Sequence, residues 1–164
     1  MRKELPQQLL RELLRNSKRS DRALAKVLGV SQPTITRARH KLEREGLIQN
    51  YTIVPDFRKM GFEILAFTFV KMRADVRLQA TFEQARKQAT EFPNVIFASP
   101  GDGLSMTGVV MSFHKNYTDY HKTLNRLRVD WKEFTEEIES FVVSMGDGGA
   151  YKRLSLSCLG GLPL

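Results

Sequence analysis

The sequence predicts an α+β protein with an N-terminal winged helix-turn-helix domain followed by a ferredoxin-like βαββαβ domain. Two amphipathic segments meet at Leu28-Gly29-Val30-Ser31, and after Phe62 apolar strands alternate with amphipathic helices. The charge is uneven as well. Residues 1–61 hold fourteen Lys and Arg against six Asp and Glu, whereas residues 62–164 hold twelve of each. The whole net charge of +8 therefore lies in the first part, which suits a polyanion partner.

The first two helices are predicted from leucine spacing and from capping residues. Leucines at helical spacing predict a first helix from Leu5 to Leu14. Ser20 or Asp21 can cap a second helix, since both side chains accept hydrogen bonds from the free N–H groups of a helix start. Gly29 can adopt a positive φ and so end this second helix.

The third helix is predicted from about residue 32 to residue 45. Ser31 suits the N-cap, and Pro33 falls in the first turn, where its missing N–H costs little. Gly46 ends this helix. The branched and aromatic residues at 47–54 then predict β structure. A strand directly behind the third helix is typical of a wing.

The second domain is predicted from strands at 63–72, 94–99, 106–113 and 138–145, a helix carrying Leu78, Phe82, Ala85 and Ala89, and a helix over 117–131. Residues 100–103, Pro-Gly-Asp-Gly, predict a turn. Residues 151–157 predict either one more strand or a tail that packs on a partner. Alternating apolar residues predict that the second face of the sheet is also apolar, which favours a homodimer or higher oligomer. These residues are Phe67, Phe69, Val109, Met111, Phe141 and Val143.

These elements place the domain boundaries at 1–55 for the helix-turn-helix domain, 56–61 for a connector, and 62–164 for the sheet domain. Cys158 is the only cysteine, so the chain can form neither an intramolecular disulfide nor a cysteine metal cluster. No apolar run reaches the ~18 residues of a membrane span, and the first residues lack the apolar core of a signal peptide. We therefore expect a soluble, cytoplasmic protein.

The outward side of the third helix is the predicted DNA-binding site. Arg37 can bind guanine O6 and N7 with two hydrogen bonds, and Gln32 can pair with adenine. Thr34 and Thr36 suit phosphate oxygens or a thymine methyl group, and the remaining cations suit the DNA backbone. The predicted set is Gln32, Pro33, Thr34, Thr36, Arg37, Arg39, His40, Lys41 and Arg44.

The chain resembles the Lrp/AsnC family of prokaryotic transcription regulators. The match is carried by Leu24-Ala25-Lys26, by Gly29-Val30-Ser31, by Arg37, by the run from Leu42 to Thr52, and by the run from Val54 to Phe62. The resemblance implies a sequence-specific regulator of transcription that binds double-stranded DNA, dimerises through its sheet domain, and often senses amino acids. It is specific over about residues 20–61.

Two positions depart from the family pattern. The family usually has a basic residue at Ala38 and an apolar residue at Arg39. Either Ala38 takes the inward position with the helix slightly rotated, or the Arg39 stem packs while its charged head reaches solvent. The family also has a second acid shortly after its Gly-Asp pair, and this chain lacks it. Gly101 and Asp102 are the candidates for binding an amino-acid effector, and the alternative for Asp102 is a turn residue that hydrogen-bonds its own backbone.

Other activities are less well supported. The three histidines, His40, His114 and His121, share no metal-ligand spacing, and His114 and His121 are predicted at the surface. No nucleophile has a partnered base, so we expect neither an enzyme nor a cofactor. Two alternatives stay open: an architectural DNA-binding protein with little sequence preference, and a protein whose main activity is amino-acid sensing.

Overall fold

The computed structural model describes residues 4–74, 83, 86–87, 89–146, 152 and 154–162. The chain divides into two compact units. The N-terminal unit contains Met1–Val54 together with Lys152–Leu164, and the sheet unit contains Pro55–Tyr151. The sequence predicts that the last residues belong to the sheet domain (62–164). They group instead with the N-terminal unit, because a short 3-10 helix at Ser157–Gly161 packs on the first helix.

The N-terminal unit is built on three helices: α1 (Leu5–Arg15), α2 (Asp21–Leu28) and α3 (Gln32–Arg44). Each helix buries one apolar side and leaves the other in solvent, as their amphipathic spacing predicts. The shared core consists of Leu9, Leu13, Leu24, Ala25, Ile35, Ala38 and Leu42.

The predicted β structure at 47–54 is not formed. Residues 49–54 have no regular secondary structure, and Ile53 is 81% exposed. A strand needs a neighbouring strand to satisfy its backbone groups, and none of the described strands pairs with this segment. High β propensity alone was therefore not sufficient.

The described residues of the sheet unit form four antiparallel strands and a helix that packs on one face of the sheet. The elements are β1 (Ile64–Met72), β2 (Val95–Gly103), β3 (Met106–His114), α4 (Tyr117–Asp130) and β4 (Thr135–Ser144). The spatial order β2-β3-β1-β4 places β1 in the middle of the sheet, as in the predicted ferredoxin-like arrangement. Ile64 and Ala66 of β1 pack against Tyr120 and Leu124 of α4. The fold class is confirmed.

The second predicted helix of this unit falls mostly on residues that the structure does not describe. Its predicted positions Leu78, Phe82 and Ala85 are among the residues that the structure does not describe. Residues 89–91 are helical, and the helix stops before Pro93 as predicted. No described helix is both long and apolar enough to span a lipid bilayer.

One local prediction in this unit was wrong. The Pro-Gly-Asp-Gly segment at 100–103 is the end of strand β2, and the turn lies at Leu104 and Ser105, whose φ values are 54° and 59°. Pro100 is tolerated because β2 is an edge strand with irregular pairing between Pro100 and Gly103. For residues 151–157 the sequence left open a strand or a tail, and the described residues among them form no strand.

His114 is buried, whereas the sequence predicts it at the surface. It is 1% exposed, because it closes strand β3 on the face that α4 covers. Its Nε2 lies 2.8 Å from Ser112 Oγ, and its Nδ1 lies 3.2 Å from Asn94 Nδ2. Burial lowers the pKa of His114, while the carboxylate of Asp119 opposes the shift. A neutral imidazole is therefore favoured.

Candidate nucleic-acid interface

The turn between α2 and α3 is fixed by one glycine and one serine. Gly29 ends α2 with a left-handed φ of 66°, and the N–H of Val30 returns to the carbonyl of Ala25 at 3.1 Å. Ser31 then caps α3, since its Oγ accepts from the N–H of Thr34 at 3.4 Å and contacts Thr34 Oγ1 at 2.7 Å. The predicted caps therefore set the angle at which α3 leaves the turn.

The rotation of α3 is fixed by its buried side. Ile35, Ala38 and Leu42 face the core, with Ala38 only 9% exposed. Of the two alternatives for the departure from the family pattern, the first is correct, because Ala38 takes the inward position. Arg39 lies at the edge of the core, with its side chain 16% exposed.

The predicted DNA-binding residues divide into two groups by exposure. Three of them are only partly exposed: Thr34, Thr36 and Arg39. Six are exposed on the outward side of α3: Gln32, Pro33, Arg37, His40, Lys41 and Arg44. The exposed set contains four basic side chains, Arg37, His40, Lys41 and Arg44, on about two helical turns.

The exposed cations differ in their ion-pair and hydrogen-bond partners. His40 Nδ1 lies 3.1 Å from Glu43, and Lys41 Nζ lies 3.7 Å from Glu45. Arg37 donates from Nε to the carbonyl of Pro33 at 3.3 Å. Within the part of the chain that the structure describes, the guanidinium groups of Arg37 and Arg44 have no carboxylate partner. Their charge is available to a ligand in solution.

A carboxylate on α2 holds the two partly exposed residues Thr36 and Arg39. Asp21 Oδ2 accepts from Thr36 Oγ1 at 2.7 Å, and its Oδ1 accepts from Arg39 Nη2 at 2.6 Å and from Nε at 3.0 Å. Burial alone would raise the pKa of Asp21, but the hydrogen bonds from Thr36 and Arg39 prevail and lower it below 3.8. Asp21 is therefore ionised at neutral pH and ties α3 to the start of α2.

The same arginine reaches the segment that follows α3. Arg39 Nη1 donates to the Tyr51 hydroxyl at 3.3 Å, and that hydroxyl donates to Glu43 Oε1 at 2.7 Å. We call Asp21, Thr36, Arg39, Glu43 and Tyr51 the Asp21–Tyr51 network. It joins the first turn of α2, the middle of α3 and the chain beyond the helix-turn-helix.

Neither Asp21 nor Tyr51 is among the residues that the sequence predicts for this site. Asp21 and Arg39 are 18 residues apart, so no local spacing links them. One signal was present, however. A charged residue at a position where the family places an apolar one needs a buried or half-buried partner.

The two effector candidates lie in the last part of strand β2. Gly101 and Asp102 are both exposed near the end of the strand, next to the turn at Leu104 and Ser105. The described residues include no group of three or more His, Cys, Asp or Glu side chains arranged to hold a metal ion.

This geometry defines a helix-turn-helix unit in a chain that also carries a ferredoxin-like sheet unit. The family described as "Winged helix-turn-helix DNA-binding" matches residues 2–49. The transcriptional regulator LrpA of Pyrococcus abyssi is 33% identical over 84 residues, which are 51% of this chain and 57% of the relative. The regulator FL11 of Pyrococcus horikoshii is 24% identical over 101 residues, 60% of this chain and 64% of the relative. The chain thus spans less than two thirds of these relatives.

Solved structures extend the likeness to almost the whole chain. An AsnC family transcriptional regulator from Agrobacterium tumefaciens has a TM-score of 0.75 at 19% identity, covering 94% of this chain and 97% of that one. A transcriptional regulator from Neisseria meningitidis, in complex with L-methionine, has a TM-score of 0.74 at 16% identity, covering 94% and 96%. The resemblance to the Lrp/AsnC family is confirmed, in sequence over about half of the chain and in fold over more than nine-tenths.

Proposed function

We propose that this protein is a sequence-specific regulator of transcription that binds double-stranded DNA with α3 in the major groove. The observation that carries the proposal is the exposed basic side of α3, where Arg37 and Arg44 have no carboxylate partner among the described residues. A major groove accepts one α-helix, and phosphates attract such a surface. An isolated basic helix could be merely solvated, but here the entire net charge of the chain lies in residues 1–61.

The exposed residues have separate roles in this proposal. Gln32, Pro33, Thr34 and Arg37 lie in the first half of α3, the part that contacts base edges in helix-turn-helix proteins. Arg37 is the strongest candidate for guanine, because its guanidinium can donate two parallel hydrogen bonds. His40, Lys41 and Arg44 follow on the same exposed side, where they suit phosphates.

Thr36 and Arg39 have a different role in the proposal. Their polar groups are already bound to Asp21, at 2.7 Å for the hydroxyl and 2.6 Å for the closer guanidinium nitrogen. A phosphate would have to compete with an ionised carboxylate for Arg39. We therefore assign Thr36 and Arg39 to positioning α3 and not to direct contact with DNA.

The sheet unit suits self-association. Its register places four apolar side chains in one row across all four strands: Phe97, Met111, Phe67 and Phe141. Phe97 is 52% exposed and Phe141 is 66% exposed, although both are large and apolar. A second copy that covers this row would bring two α3 helices to two half-sites, about 34–36 Å apart or a multiple of that. A homodimer is therefore the proposed minimal assembly. The proposed location is the cytoplasm, where prokaryotic DNA is accessible.

An amino-acid effector is a further part of the proposal. The Neisseria neighbour was solved with L-methionine, and Gly101 and Asp102 are the exposed candidates in this chain. A thermal-shift panel of the twenty amino acids tests it. A rise in melting temperature that Asp102→Asn removes would support an effector site there, and no rise with any amino acid would contradict it.

The main alternative is an architectural protein with little sequence preference, which would use the same basic surface. Selection of bound fragments from a random duplex pool separates the two. We expect a recurrent, two-fold symmetric site, bound at least ~10³-fold more tightly than random DNA at the same salt concentration. Equal affinity for selected and random duplexes would contradict sequence-specific regulation and support the architectural function. Binding to neither would contradict both.

A further inference from the structure

The C-terminal segment, residues 154–162, packs on α1, and Gly160 is the point of close approach. Of the described residues in this segment, Gly160 alone is buried, and the others are exposed. A Cβ atom added to Gly160 would lie 2.7 Å from the carbonyl oxygen of Arg11 and 2.8 Å from Cγ of Arg15. Glycine is therefore required at this position for the segment to lie as close to α1 as it does.

Side chains of α1 shape the surface that Gly160 contacts. Glu12 is 8% exposed and forms ion pairs with Arg15, at 2.6 Å, and with Arg19. These pairs draw the charged head of Arg15 toward Glu12 and leave the methylene stem against the glycine. Together, the Arg11 carbonyl and the Arg15 stem form what we call the Gly160 seat.

The C-terminal segment contacts this seat while burying little of its own apolar surface. It forms a short 3-10 helix, Ser157–Gly161, whose turns close through Leu159 N–H to Leu156 O at 3.0 Å and Leu162 N–H to Leu159 O at 3.1 Å. Leu154, Leu156 and Leu162 stay 48%, 59% and 51% exposed. An attachment that buries so little apolar surface opens easily compared with a packed core.

The seat lies on the helix that supports α3. Leu9 and Leu13, on the core side of α1, pack in the same cluster as Ile35 and Leu42 of α3. Occupation of the seat therefore stabilises the layer beneath the proposed DNA-binding helix. The same coupling requires that loss of the attachment loosens α1 and, through it, α3.

We propose that the Gly160 seat is an intramolecular docking site for the C-terminal segment, and that reversible docking there controls how well the N-terminal unit binds DNA. The DNA part rests on the function proposed above, whereas the docking part does not. The occupant is the chain's own residues 154–162, recognised by the absence of a side chain at position 160.

Two glycines and one cysteine make the test direct. Gly160→Ala places a methyl group against backbone, while Gly161→Ala is a matched control, since a Cβ there meets nothing within 4 Å. Neither glycine has a positive φ, so both substitutions change the backbone freedom of the chain alike. Cys158, the only cysteine of the chain, is exposed within the segment and accepts a spin label.

The experiment measures spin-label mobility at Cys158 without DNA, and then the affinity of each labelled full-length protein for its selected duplex. We expect restricted mobility in the wild type and in Gly161→Ala. In Gly160→Ala we expect a mobile label, a fall of about tenfold or more in the ratio of docked to free segment, and at least threefold weaker DNA binding. Circular dichroism of each variant verifies that the helices are intact.

Each outcome bears on the proposal. Equal, restricted mobility in all three proteins would overturn the docking site, and so would equal, high mobility in all three. A mobile label in Gly160→Ala with unchanged DNA affinity would overturn the control of DNA binding. If the wild type binds no duplex, the proposed function fails, but the mobility comparison still decides whether the segment docks.

Discussion

The pair formed by Asp21 and Arg39 permits a test in which two assignments of one arginine predict opposite results. If Arg39 contacts phosphate, Asp21→Asn frees a cation and removes an anion, so DNA binding should strengthen. If Arg39 positions α3, the same change loosens the recognition helix, so DNA binding should weaken. We expect the second result, because both Nε and Nη2 of Arg39 are bound to Asp21.

The size of the effect follows from the geometry of the pair. The side chains are 16% and 20% exposed, and the closest nitrogen–oxygen distance is 2.6 Å. Exposed ion pairs contribute roughly 0–1 kcal/mol, whereas breaking a buried pair costs roughly 3–5 kcal/mol. For this half-buried pair we expect Asp21→Asn to lower the free energy of unfolding of the N-terminal unit by about 2 kcal/mol. About 0.3–1 kcal/mol of this is the lost interaction of the carboxylate with the start of α2.

A double-mutant cycle separates the pair from that helix-end effect. Urea unfolding, followed by circular dichroism, is measured for Asp21→Asn, Arg39→Met and the double variant. We expect a coupling energy of at least ~1 kcal/mol. In parallel, Arg39→Met should leave the slope of log K against log salt unchanged, because no phosphate contact is lost.

Two results would refute this reasoning. A coupling energy within ~0.3 kcal/mol of zero would show that the two residues do not stabilise each other. A fall of about 1 in the salt slope of Arg39→Met would show that Arg39 neutralises a phosphate after all.

Three further predictions concern the cap of α3, the buried histidine and the apolar sheet face. Ser31→Ala should lower the unfolding free energy of the N-terminal unit, measured in urea, by about 1 kcal/mol. Ser31→Asp should keep the cap and the stability but weaken DNA binding through its negative charge. Equal stability of Ser31→Ala and wild type would contradict the role of Ser31 as a cap. Folding lowers the pKa of His114 below 6.5, so the contribution of the neutral imidazole to stability is complete above that pH and is lost as the pH falls toward the folded-state pKa. His114→Gln should remove this part of the acid destabilisation. Identical profiles of unfolding free energy against pH for wild type and His114→Gln would contradict this prediction. Phe141→Lys should convert the proposed dimer to a monomer in sedimentation equilibrium. Arg128→Ala, on the helix α4 that packs on the opposite face of the sheet, should not. An unchanged dimer in both variants would exclude the face that carries Phe141.

The helix-turn-helix was predictable because its signals are local. Ser20 and Ser31 cap their helices, and Gly29 takes a positive φ, as their positions in the sequence indicate. Each of these interactions joins residues only a few positions apart. The inner side of α3 followed from periodicity as well, once Ala38 was taken as the inward residue.

The parts that sequence reasoning missed depend on contacts between distant residues. Asp21 meets Arg39, and Gly160 meets Arg11, across separations that no periodic pattern reports. His114 was misplaced for a similar reason, because its burial depends on α4 covering the sheet. The Pro-Gly-Asp-Gly segment was misassigned because cross-strand pairing with β3 outweighed a strong local turn signal.

The claim that α3 binds DNA through its exposed basic side is tested most directly by one pair of arginines. Fluorescence anisotropy gives the affinity of wild type, Arg37→Ala and Arg128→Ala for the selected duplex over a range of salt concentrations. Arg128 is an exposed arginine on α4 of the sheet unit, so it controls for the loss of one positive charge. We expect Arg37→Ala to weaken specific binding by about 1–3 kcal/mol, roughly 5- to 150-fold, with Arg128→Ala close to wild type. Equal affinities for all three proteins would contradict the assignment of α3 as the DNA-binding helix.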